Sequence, residues 1–108
     1  MVAIGAKVIV TITGDNQASA PLSLGGDGAI IMISDDDSFD GTLTVQYISD
    51  EFNQWVDDVK YSGPVVDRVK AGTEFSIRIG CKTGDYVSGS IKAVIYRGYM
   101  SASTDLPI

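Results

Sequence analysis

Eight short segments in which apolar and polar residues alternate run through this chain, each closed by a cluster rich in Gly, Asp or Asn. A period of two puts every second side chain on one face of an extended strand, so each segment reads as a half-buried β-strand. No window carries apolar residues at helical spacing. The expectation is an all-β domain: an antiparallel two-sheet sandwich of about eight strands with Greek-key or jelly-roll-like connections. A length of 108 residues suits one core and is short for two.

The segments can be read in order. Val8, Val10 and Ile12 share one face of the first, with Lys7, Thr11 and Thr13 opposite. The second, residues 17 to 24, predicts Ala18, Ala20, Leu22 and Leu24 inward, and Gln17, Ser19 and Ser23 outward. Pro21 has no N–H for a ladder, which marks that strand as an edge or a bulge. Later segments put Leu43, Val45 and Tyr47 on one face, then Phe75, Ile77, Ile79 and Cys81, then Ile91, Ala93 and Ile95. The adjacent acids Asp57 and Asp58 interrupt the segment starting at Trp55, which suits a strand end or a bulge. The expected core includes Val10, Leu22, Val45, Trp55, Ile77 and Ile95.

One segment breaks the alternation. Ala29-Ile30-Ile31-Met32-Ile33 is apolar on both faces, so it is a central strand covered on both sides or its outer face meets another subunit. The strands end by Arg97, and residues 98 to 108 read as an extended arm beyond a 1–97 sandwich. Ile30, Met32, Tyr99, Met100, Leu106 and Ile108 have no obvious place in a small two-sheet core and are the interface candidates.

Composition narrows the chemistry. The chain has no histidine, the commonest general base and metal ligand, and its single cysteine, Cys81, shares a face with Ile77 and Ile79. Fourteen acidic residues against eight basic ones give a net charge of −6, which argues against a phosphate backbone as partner. No stretch approaches the roughly 20 apolar residues that span a bilayer, and the N-terminal residues lack the basic start of a signal peptide. The expected protein is non-enzymatic and needs no cofactor, metal, nucleic acid or membrane.

Two local features invite a sharper reading. Asp36-x-Ser38-x-Asp40-Gly41 places oxygen donors at alternate positions before a glycine, as calcium loops do, but the closing carboxylate position holds Tyr47. The run from Asp35 to Gly41 is therefore expected to be an ordinary connection between strands, without a high-affinity metal. Trp55, with Phe52 and Tyr47 nearby, could stack on a sugar ring; aromatics at strand spacing more often fill a core.

From Gly41 onward the order of motifs is distinctive. Gly41-Thr42-Leu43-Thr44-Val45-Gln46-Tyr47 leads to an acidic turn and Trp55-Val56-Asp57-Asp58-Val59. Phe75-Ser76-Ile77-Arg78-Ile79-Gly80 and Thr83-Gly84-Asp85-Tyr86-Val87-Ser88-Gly89-Ser90-Ile91 follow. This order resembles the small β-sandwich structural proteins of tailed bacteriophages, over about two-thirds of the chain. The resemblance implies a virion structural protein, made in the host cytoplasm and most simply a capsid decoration or cement protein. Its implied partners are the major capsid protein or other virion proteins, with the chain itself a homo-oligomer. A carbohydrate-binding module of a head fibre or tail, or a tail or neck component, is the alternative. No catalytic residue carries over.

Overall fold

The computed structural model describes residues 7–24, 28–49, 51, 53–69 and 75–98, with the backbone alone for 35–37. Tyr99, Met100, Leu106 and Ile108 lie outside the described residues, and of the expected arm only Gly98 is described.

The described chain is all-β. Its strands are β1 (Lys7–Ile12), β2 (Gln17–Ala18), β3 (Leu22–Ser23), β4 (Ala29–Gly41), β5 (Leu43–Ile48), β6 (Val56–Tyr61), β7 (Val65–Val69), β8 (Ser76–Cys81) and β9 (Tyr86–Arg97). Two antiparallel sheets form, in the orders β1-β9-β4-β7 and β2-β8-β5-β6, with β3 also on β8. Pairing runs from the ends of the chain inward: β1 with β9, β2 and β3 with β8, β4 with β7, β5 with β6. That nested winding is the jelly-roll variant of the expected sandwich.

Between the sheets lies one apolar core. Ile12, Ile31, Ile33, Ile91, Ala93 and Ile95 enter it from the first sheet. Leu43, Val45, Ile77, Ile79 and Cys81 enter from the second, with Leu22 and Leu24. In the long strands β4 and β9 the core residues alternate, as their period of two requires. Cys81 is buried as a small hydrophobe, and burial pushes its thiol pKa up.

Four expectations need correction. Ala18 and Ala20 are exposed while Ser19 is buried. Ala18 pairs with Gly80 but Leu22 pairs with Ile77, so the edge strand gains one residue around Pro21 and its facing inverts there. Ser19 survives burial because its N–H donates to the Ile79 carbonyl and its hydroxyl accepts from the Ile79 N–H. Second, Val10 is half-buried at the core margin rather than within it. Third, Trp55 is outside the core altogether, a half-buried residue just before β6. The other four expected core residues are buried.

The fourth correction concerns the acidic run. Residues 35 to 41 are no connection; they continue β4, paired with β9 through three register shifts. At its end the chain passes from one sheet to the other at Gly41 and Thr42, whose N–H donates to the Asp85 carbonyl. A Cβ on Gly41 would meet that carbonyl oxygen at 2.6 Å and the Phe39 ring at 2.8 Å, so the crossing needs glycine. The bulge foreseen at Asp57-Asp58 is present: Thr44 pairs with Lys60 but Gln46 with Asp57, leaving one extra residue in β6.

Candidate functional site

The outer face of the first sheet is built from three rungs. Register aligns Ile9, Val94, Met32 and Val66 into one ladder crossing all four strands. Ile9 is 54% exposed, Met32 43% and Val66 59%. Opposed side chains on neighbouring strands stand about 5 Å apart, so the four form a continuous apolar stripe. Soluble monomers keep such stripes small unless something docks there.

The flanking rungs are cationic. On one side Lys7, Tyr96, Ile30 and Arg68 align, with Lys7 Nζ 5.9 Å from the centroid of the Tyr96 ring. On the other, Thr11, Lys92 and Ser34 align. No carboxylate stands among the described side chains of these rungs. Asp67, next to Arg68, faces the other way: it accepts from the Tyr61 hydroxyl at 2.6 Å and from the Arg68 N–H at 2.8 Å. Three of the chain's eight basic residues thus border one apolar stripe on a protein of net charge −6.

Ile30 and Met32, two of the expected interface residues, stand on this face. Ile9, Val66 and Val94, with Lys7, Arg68 and Lys92, are additions the sequence reading did not single out. The unbroken triplet Val8-Ile9-Val10 and the pair Val65-Val66 were the available signals, since a half-buried strand should not carry consecutive apolar residues. What joins them into one ladder is register, which pairs residues far apart in sequence.

The outer face of the second sheet is polar. Trp55 lies there under Arg78, whose guanidinium carbon is 4.1 Å from the ring centroid. Arg78 Nε donates to Gln46 Oε1 at 2.8 Å, Gln46 Nε2 donates to Asp57 Oδ1 at 2.7 Å, and Lys82 Nζ donates to Asp57 Oδ2 at 2.6 Å. The Gln46 hydrogen bond, then Lys82, holds the Asp57 carboxyl below its usual range. Of the three aromatics considered for a sugar platform, Phe52 lies outside the described residues and Tyr47 packs edge-on against Phe75. Among the described residues no group of three His, Cys, Asp or Glu side chains could hold a metal.

Comparison with protein-family models, with curated proteins and with solved structures found no match in any of the three.

Proposed function

We propose that this protein is a non-enzymatic structural component of a phage virion. In this reading it is a decoration or cement protein seated through the outer face of its first sheet. The observation that carries the proposal is the Ile9–Val94–Met32–Val66 ladder with its border of Lys7, Arg68 and Lys92. An apolar stripe supplies the gain from removing surface from water, roughly 25 cal/mol per Å². Its cationic border selects an acidic surface and disfavours two copies meeting face to face, because like charges would oppose one another. The occupant is therefore a different surface, an acidic patch of a shell protein. Homo-oligomer contacts then fall elsewhere on the domain. Jelly rolls occur in viral capsid and lectin domains alike, so the fold is compatible with this reading but does not by itself carry it.

Virions of the encoding phage should contain the chain in a fixed ratio to the shell protein, measured by quantitative mass spectrometry. Met32→Glu and Val66→Glu should each reduce the copies retained by about tenfold or more, as central interface substitutions do, while leaving the domain folded. Absence of the wild-type chain from virions, or undiminished retention of both variants, would overturn the proposal.

A further inference from the structure

The opposite side of the sandwich carries a groove of about 330 Å³, lined by Asn16, Gln17, Thr44, Gln46, Arg78 and Lys82 among others. Its volume is that of a small-molecule site. Arg78 is the lining residue with the most constrained charged side chain. Trp55 supports one face of the guanidinium and Gln46 takes Nε, so the plane of the side chain is fixed on two sides. Among the described residues its two terminal amino groups donate to no protein acceptor. Asp57 neutralises Lys82 but makes no ion pair with Arg78. A held guanidinium with a free fork matches the geometry of a carboxylate.

The rest of the groove is suited to hydroxyl groups. Asn16 brings a side-chain amide and Thr83 a hydroxyl to its wall, whereas the Gln46 amide is already engaged by Arg78 and Asp57 and that of Gln17 by Thr13 and Gly14. Thr44 also belongs to the lining; it is 1% exposed, and its Oγ1, sealed beneath the groove surface, has no hydrogen-bond partner among the described residues. The groove's shape depends on Gly80, where β2 crosses so closely that a Cβ would run into the Gln17 carbonyl oxygen and the Ala18 side chain.

We infer that this groove is a binding site for a small hydroxylated carboxylate, a sugar acid of the uronate type, held through the Arg78 fork. The site lies on the sheet opposite the proposed docking face and does not depend on it. Titration with sodium D-glucuronate, followed by amide chemical shifts, is the test, with D-glucose and sodium acetate as comparison probes. Glucuronate should saturate in the millimolar range or tighter, with shifts centred on Arg78, Gln46 and Gly80. Glucose and acetate should each bind about tenfold or more weakly, since each lacks one half of the recognition. Arg78→Lys keeps the charge and loses the fork, so it should weaken glucuronate binding about tenfold while thermal unfolding stays near wild type. Lys7→Gln, on the other sheet, should change nothing. No saturable binding of glucuronate, equal binding of acetate or glucose, or full binding by a folded Arg78→Lys protein would overturn the inference.

Discussion

The Tyr61 hydroxyl donates to Asp67 Oδ2 at 2.6 Å, tying the last residue of β6 in one sheet to the middle of β7 in the other. The same carboxylate accepts the Arg68 N–H, so one side chain closes the turn and links the sheets. Tyr61→Phe keeps the packing and removes this charge-assisted bond. It should cost about 1–2 kcal/mol, read from urea denaturation at neutral pH.

Alkaline titration checks the same pair. Burial, then the bond to Asp67, raises the Tyr61 pKa well above the usual tyrosine value near 10. A raised folded value means that the stabilisation is complete below pH ~10 and is lost as pH rises toward the folded pKa. Wild type should therefore lose stability above pH ~10 more steeply than Tyr61→Phe. Parallel decline of the two proteins would remove Tyr61 from the alkaline response.

At acid pH the corresponding group is Asp57. Its depressed pKa means a contribution present above the ordinary aspartate value and lost as pH falls through the folded one. Asp57→Asn should be slightly less stable than wild type at pH ~7, by less than about 1 kcal/mol for so exposed a pair. The gap should shrink below pH ~4. A gap that persists unchanged at pH ~3 would contradict this.

Adjacent residues of β4 test the register. Ile31 is fully buried and Met32 is 43% exposed. Ile31→Ala should cost about 2–5 kcal/mol, whereas Met32→Ala should stay within about 0.5 kcal/mol. Reversed magnitudes in thermal unfolding would mean the strand is slipped by one residue.

Gly80→Ala should destabilise by about 2–3 kcal/mol, because the added methyl meets the backbone of β2 rather than a movable side chain end. Differential scanning calorimetry would show it as a lowered Tm, and an unchanged Tm would mean β2 does not approach as described.

The sequence foretold the parts governed by local pattern. Every segment read as a strand, alternating or apolar on both faces, contains strand structure, and Pro21 and Asp57-Asp58 mark real bulges. It misjudged places where a tertiary contact outweighs the pattern. Asp35 to Gly41 looked like a turn, yet pairing with β9 holds it extended. Ser19 looked exposed, yet the bulge turns it inward, where the Ile79 backbone and the Ala20 carbonyl satisfy its polar groups. Trp55 looked like core because aromatics at strand spacing usually fill one, but it sits before β6 and Arg78 covers its ring. Of the two faces described, Ile30 and Met32 were legible because they broke the alternation. Lys7, Arg68 and Arg78 were not, since only register shows which charges share a rung.

The nested pairing also fixes how far apart along the chain each pair of partners lies. β5 and β6 can meet first, with Tyr47 opposite Val56 across a short loop, whereas β1 must find β9 across nearly the whole chain, Lys7 opposite Tyr96. Closing long loops is the entropically demanding step, and sandwiches dominated by such pairings refold in milliseconds to seconds. Ile9 belongs to β1, so the apolar ladder is one residue short in any chain whose β1 is unpaired. A chain with β1 still unpaired therefore lacks the complete Ile9–Val94–Met32–Val66 ladder, however well the rest of the sandwich is formed.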